Sequence, residues 1–365
     1  MSAEVKFPVY AKWTYLLVGL TFFFFVLYIA QGIILPLIYA IIIAVLISPV
    51  VNYLVRKKVN RGIAIAAVLV IALGLIATLI FFIFSQASLL VEAAPVLSAK
   101  LKQLLHQVAL WASDNFNVSV KQVNAWFAEE KTNFLESGNL GLGTTLVTLG
   151  SVLATIFLTP VYIFMILFYQ PHLLLFVHKL FGSENDKQVN EILGETKGII
   201  QGYLVGLFLE FVIIAVLNSA GLLILGIEYA ILLGVVGAIL NIIPYVGGLI
   251  GVLLFMMIAL LTKEPVYVLY VMSLYLFIQF VDNNFIVPKI VGSKVKLNAL
   301  ISILAVISGA ALWGIPGMFL SIPLMAIVKL IADRIGPLKP WGYLLGDDMP
   351  SMMELKIRRR GAPKS

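Results

Sequence analysis

Long apolar runs alternate with short polar segments along this chain, and the lengths of the runs predict membrane-crossing helices. Spans are expected at 13–30, 34–54, 63–84, 144–169, 200–223 and 266–285; about 20 apolar residues suffice to cross ~30 Å of hydrocarbon. Two further runs, 229–261 and 297–331, differ from these. Some 33 residues of helix would reach ~50 Å, and each run is broken near its middle. The first break is Asn241-Ile-Ile-Pro244-Tyr-Val-Gly247-Gly248, and the second is Trp313-Gly314-Ile-Pro316-Gly317. Interrupted apolar segments in paired positions are a sequence-level pointer to the binding site of a transporter.

Two stretches interrupt the apolar pattern. In the first, Leu97, Leu101, Leu104, Leu105 and Val108 recur at helical spacing, followed by Val120, Val123, Phe127 and Phe134. Both sets predict amphipathic helices outside the membrane, either packed as a pair or acting as a lid. In the second, Pro171 is followed by Ser183-Glu184-Asn185-Asp186, a helix start, and by an apolar face at Val189, Ile192 and Leu193 that feeds the next span. The expected organisation is therefore three spans in 1–84, extramembrane helices in 85–142, a fourth span in 143–169 and a cytoplasmic linker helix in 170–199. A transport core follows in 200–333, with its broken segments at 229–261 and 297–331, and then a cytoplasmic tail in 334–365.

Charge sets the orientation. Arg56, Lys57, Lys58 and Arg61 between spans two and three, and Arg334, Lys339, Lys356, Arg358, Arg359 and Arg360 in the tail, place both termini on the cytoplasmic side. If each broken segment crossed fully, the basic loop with Lys289, Lys294 and Lys296 would lie outside. If each folds back as a hairpin, that loop moves inside and only the short Lys263-Glu264 turn faces out. The positive-inside rule favours two re-entrant hairpins, the first dipping from outside and the second from inside. The fold class expected is thus an all-α membrane protein, a multi-pass helical bundle with two Pro/Gly-broken helical hairpins in its C-terminal half.

Composition supports this class. The chain has 365 residues, 61% of them hydrophobic and 12% charged, with a mean hydropathy of +1.06, whereas soluble domains carry about 25% charged residues. The apolar run 15–30 follows Lys6 and Lys12 like a signal peptide, but lacks a small-residue cleavage site and is read as uncleaved. The net charge of +7 sits in loops and tail, with no basic-aromatic patch, so nucleic acid is not an expected partner. Zero cysteines exclude disulfides and thiolate chemistry. His106, His172 and His178 have no ligand spacing, and no phosphate-cradling loop ends in Lys-Ser/Thr. No enzyme activity, cofactor or metal site is expected, and the lipid bilayer is the first partner.

Five polar residues are candidates for binding a solute or ion. Glu210 stands mid-span in Gly206-Leu-Phe-Leu-Glu210-Phe, where an ionisable group costs ~2.5 kcal/mol or more and usually faces a cavity or a partner. It could bind a cation or a proton, or serve as a hydrogen-bonded packing carboxylate. Gln279, Asp282 and Asn283 cluster at the end of the segment before the second broken run, with Asn284 beside them. Their oxygens suit a hard cation or a hydroxylated solute, or else cap the span as it leaves the membrane. Asn241 is the polar residue beside the first break. At the breaks themselves, Pro244, Gly247, Gly248, Gly314, Pro316 and Gly317 free backbone groups that must find partners; glycines here could also serve close helix packing.

The run from Asn241 to Gly251 and the run Gln279-Phe-Val-Asp-Asn-Asn284-Phe-Ile-Val-Pro288-Lys289-Ile-Val-Gly292 resemble the bacterial autoinducer-2 exporter family. So does Leu297-Asn-Ala-Leu-Ile through Gly309 to Gly314-Ile-Pro316-Gly317-Met-Phe-Leu-Ser-Ile-Pro323. Two positions depart from the family pattern: Gly248 stands where a proline is usual, and Ser308-Gly309 where two glycines are. The resemblance implies a homo-oligomeric, multi-pass transporter of the inner (plasma) membrane. Three functions stay open at this point: export of a small polar signalling molecule or metabolite, sodium(lithium)/proton antiport, and a non-transporting membrane scaffold.

Overall fold

The computed structural model describes residues 8–116, 157–244, 246–292 and 295–347. Among them the chain is α-helical, with one isolated bridge between Leu297 and Gly346. The helices are α1 (Val9–Ile29), α2 (Gln31–Arg56), α3 (Arg61–Phe116), α4 (Phe157–Phe168), α5 (Gln170–Phe181), α6 (Asp186–Ile224), α7 (Ala230–Asn241), α8 (Val246–Thr262), α9 (Val266–Val281), α10 (Ala299–Arg334) and α11 (Lys339–Leu345). Among the described residues five helical stretches are long and apolar enough to cross a membrane, α9 counting with its continuation to Ile290, or six if the bent pair α4–α5 counts as one. The outward faces of α1, α3 and α9 carry exposed apolar side chains, among them Phe22, Ile76, Phe81 and Leu269. A surface this apolar is covered by lipid or protein in its working state.

The N-terminal part packs through small residues. Ala40, Ala44 and Ala64 are buried where α2, α3 and α4 meet, beside Ile65, Ile163 and Leu167, the close approach that drives helix association in lipid. The 66° bend between α4 and α5 has a local cause. Pro171 has no N–H for the Leu167 carbonyl, and Arg61 replaces it, donating to that oxygen at 2.6 Å and to Gln170 Oε1 at 3.0 Å.

One element boundary differs from the sequence expectation. A break was expected between the third span, ending at Phe84, and the helix around Leu97, yet α3 runs through both for 56 residues, about 84 Å. Ser85 and Ser88 look like a helix end, but their hydroxyls donate to the carbonyls of Phe82 and Ser85, both at 2.8 Å, so the ladder continues. The far part of α3 therefore projects beyond any bilayer-thick slab, and Leu97 packs on the base of the first broken segment. The second amphipathic run, 120–134, and most of the fourth span lie outside the described residues. The helix with its apolar face at Val189, Ile192 and Leu193 runs on into the fifth span as one helix, α6, from Asp186, after a turn at Gly182 with φ +76°.

The broken runs both fold back on themselves. In the first, a Cβ placed on Gly251 would meet the Gly237 Cα at 3.7 Å and one on Gly248 would face the Asn241 side chain, so α7 and α8 are antiparallel. In the second, Trp313 and Gly314 leave helical geometry, with Gly314 at φ +63°, which suits glycine alone. Residues eight apart in a straight helix are ~12 Å apart, but the backbones of Gly309 and Gly317 touch so closely that neither admits a Cβ. We call the two halves α10a (299–312) and α10b (315–334). Their open ends are laced together, since the Asn298 carboxamide donates to the carbonyls of Leu344 and Gly346 at 2.8 and 3.0 Å.

α6 is the rail against which everything else is ordered. α7 runs back along it, with Gly234 against Ser219 and Asn241 against Glu210. α9 is also antiparallel to it, with Gly221 against Leu274. α10b is antiparallel to it too, with Arg334 paired to Glu191 at 2.8 Å and to Glu195, and Ala326 packed in one cluster with Tyr203. The first hairpin thus opens at the C-terminal end of α6 and the second at its N-terminal end.

Candidate functional site

Three elements deliver polar groups to the same height on α6. Glu210 sits halfway along that helix, Asn241 is the last residue of α7 before the Pro244 tip, and Asp282 begins where α9 passes into two π-turns, Asp282–Ile286 and Pro288–Gly292. Such wide turns concentrate at functional sites. The Asn241 carboxamide ties these elements together. Its nitrogen donates to Glu210 Oε1 at 3.3 Å and to Asp282 Oδ2 at 3.1 Å, and its oxygen accepts from Gln279 Nε2 at 3.1 Å. Gln279 Nε2 also donates to the Tyr275 hydroxyl at 2.9 Å. Glu210 and Asp282 are 8% and 2% exposed, and Asp282 Oδ1 is buried with no hydrogen-bond partner.

These groups line a cavity of about 520 Å³ that is also lined by Leu207 and Val287 and, from α10b, by Ile322. Among the described residues its lining holds two carboxyl groups and no Lys or Arg. Two carboxyl groups sharing one amide donor, with one oxygen unsatisfied, can accept a hydroxylated solute, a proton or a small cation, and suit an anion poorly.

All five polar residues singled out in the sequence, Glu210, Asn241, Gln279, Asp282 and Asn283, line this one cavity, together with Pro244 and Gly248. Gly247 instead packs on the Leu240 carbonyl, and Asn284 turns away to donate to the Phe280 carbonyl at 2.8 Å. The second tip is elsewhere. Trp313 Nε1 donates to the Leu27 carbonyl at 3.1 Å and the Tyr39 hydroxyl to the Pro316 carbonyl at 3.2 Å, so α1 and α2 clasp it. Gly317 borders a separate apolar cleft of about 920 Å³ beside α1, and Gly314, Pro316 and Gly317 do not reach the carboxylates. Sequence reasoning missed Tyr203 and Tyr275. Both were reachable by periodicity: Tyr203 is seven residues before Glu210 and Tyr275 four before Gln279, each on the face of its polar neighbour.

Known proteins share much of this sequence. Over 310 residues the chain is 27% identical to YueF of Bacillus subtilis (strain 168), provisionally named a transport protein, covering 80% of this chain and 82% of that one. It is 26% identical over 321 residues to the AI-2 transport protein TqsA of Escherichia coli (strain K12), covering 87% and 90%. It is 23% identical over 325 residues to YhhT of the same strain, also provisionally named for transport, covering 88% and 90%. The family model for AI-2E family transporters matches residues 17–335, and the chain belongs to that family of membrane transporters.

Proposed function

We propose that the chain exports a small polar, hydroxylated solute through the cavity between the first hairpin tip and α6. The observation that carries this reading is the Asn241 carboxamide, which joins the tip to Glu210, Asp282 and Gln279. A solute hydroxyl offers the same donor and acceptor functions, so it competes for these partners and loosens the tip. AI-2 is the first solute to test, because one relative bears that name. The setting of this reading is a bacterial inner membrane, with both termini cytoplasmic, both hairpins re-entrant and the exposed apolar faces covered by lipid and further copies of the chain.

A second reading, cation/proton antiport, is favoured by the unpartnered Asp282 Oδ1 beside a second carboxylate, since a proton or sodium ion relieves such a pair. Reconstituted vesicles bearing Glu210→Gln separate the two. Altered solute flux with no sodium-dependent proton movement in the parent supports export. Sodium-dependent proton movement that Glu210→Gln abolishes supports antiport. Vesicles that move neither, and a chain indifferent to changes at Pro244 and Pro316, support the scaffold reading.

A further inference from the structure

A second cavity, of about 400 Å³, lies at the N-terminal end of α6 and is bordered by Glu195, Gly198, Ile199, Lys296, Lys329 and Asp333. It shares its walls with the central cavity. On α6, Glu195, Gly198 and Ile199 border the outer cavity, and Tyr203, Leu207 and Glu210 the central one. Those six positions are spaced by one, three or four residues and form one continuous stripe. On α10b the same holds: Ile322 borders the central cavity and Ala326, Lys329 and Asp333 the outer one.

Between the two cavities stands a thin seal. Tyr203, Val295 and Ala326 are buried together there, and the Tyr203 ring lies tilted against Phe319 at 6.5 Å. Ile199 in the outer cavity and Tyr203 in the central one are four residues apart, about 6 Å along the helix. The opposite side is thick. Beyond Asn241, the space beside Asn218 is about 10 Å³, room for one water. Past it, Leu222, Leu233, Phe255 and Ile258 are packed as a buried core down to the hairpin base.

We infer that the solute reaches the central cavity from the N-terminal end of α6, through this outer vestibule, and that the Tyr203 ring lying with Ala326 is the gate between the two. The assignment rests on the transport reading of the central cavity. The vestibule presents Lys296 and Lys329 together with Glu195 and Asp333, and Lys329 pairs with Asp333 at 2.6 Å. Among the described residues this set, with Glu195 held by Arg334, mixes both signs of charge; it admits neutral and zwitterionic polar solutes and gives no advantage to a strongly charged one. Tyr203 is a gating residue, passing the solute on without reacting with it.

The chain has no cysteine, so single-cysteine variants report access directly. Leu207→Cys puts a thiol in the central cavity. Gly198→Cys puts one in the vestibule, where an added Cβ meets nothing within 4 Å. In sealed vesicles, a membrane-impermeant maleimide is expected to label Leu207→Cys from the same face that labels Lys296→Cys. Adding Tyr203→Ala raises that rate about tenfold or more, because a closed gate is open only ~0.1–10% of the time. Ala326→Val, which thickens the pinch, lowers the rate and provides the test if Tyr203→Ala does not fold; the rate at Gly198→Cys stays unchanged in both. Labelling of Leu207→Cys only from the other face overturns the pathway, and a rate indifferent to both gate variants overturns the gate. The labelling needs no flux assay. Intact labelling without flux for any solute would sink the transport reading alone, and flux with the opposite labelling pattern would sink this one alone.

Discussion

Asn241 and Asp282, 41 positions apart, share a 3.1 Å hydrogen bond in which the carboxamide donates to one carboxylate oxygen, while the other oxygen of Asp282 is buried without a partner. An unsatisfied buried acceptor costs about 1–3 kcal/mol, more when it is charged. The same amide also serves Glu210. A fold that tolerates such an arrangement has a stability reserve at this point, and a ligand that supplies the missing donor draws on it.

Asp282→Asn is therefore expected to be more stable and less active. The substitution replaces the buried carboxyl group with a neutral amide while keeping an oxygen to accept from Asn241. It should raise the thermal midpoint in detergent, by the equivalent of about 1 kcal/mol, and reduce flux in vesicles at least about tenfold, the trade-off typical of strained functional sites. A lowered midpoint with unchanged flux would mean that Asp282 is only a structural partner of the hairpin tip. Asn241→Leu has the opposite sign for stability: it strips the donor from both carboxylates and should cost ~2–3 kcal/mol.

The second hairpin depends on its glycines through backbone contact. Gly309→Ala and Gly317→Ala each drive a methyl into the carbonyl of the facing residue, where the obstacle is backbone and cannot swing aside. Each is expected to cost about 1–3 kcal/mol or more from overpacking, read as a fall in thermal midpoint. Gly251→Ala meets Gly237 at 3.7 Å, ordinary contact, and should be nearly silent. Equal sensitivity at Gly251 and Gly309 would contradict the folded-back geometry.

The clasp on the second tip is a pair of hydrogen bonds from α1 and α2. Trp313→Phe keeps a ring but loses the bond to the Leu27 carbonyl, at an expected cost of ~0.5–1.5 kcal/mol. Combined with Tyr39→Phe, the two losses should couple rather than simply add, since both residues pack in one cluster and hold the same tip. The central cavity is untouched by either change, so solute-dependent thermal stabilisation should persist in the double variant. Its loss would mean that the second tip contributes to binding after all.

Much of the transport core was legible because its signals are local and strong. Pro244, Gly314 and Gly317 announce breaks, and an ionisable Glu210 within an apolar run announces a cavity. The convergence of Asn241 on Asp282 was not legible, because it depends on the lengths of α7 and α9 relative to α6, and a shift of one turn would have separated them. The continuity of α3 through Ser85 was missed for another reason. A serine hydroxyl that donates to the preceding turn lets a polar residue extend a helix it would otherwise end. The different fates of the two tips were equally hidden: nothing near Trp313 in sequence reveals that Leu27, 286 positions away, will hold it.

Membrane topology gives the last prediction. In the re-entrant arrangement both ends of a hairpin lie on one side, whereas a full crossing separates them. Glu228 and Lys263 flank the first hairpin, and Lys296 and Lys339 the second, and all four are exposed. α9 crosses between Lys263 and Lys296 in either arrangement, so those two positions alone decide nothing. The informative comparisons lie within each pair. Single cysteines at 228 and 263 should react from one face of sealed vesicles, and those at 296 and 339 from the other, with the second face cytoplasmic because it carries the basic residues. A split within the first pair would make the first broken run a full crossing. Its short halves, 12 and 17 residues, would then have to span the bilayer in series, with the Asn241 tip as a mid-membrane break in one strand of the path rather than the end of a hairpin.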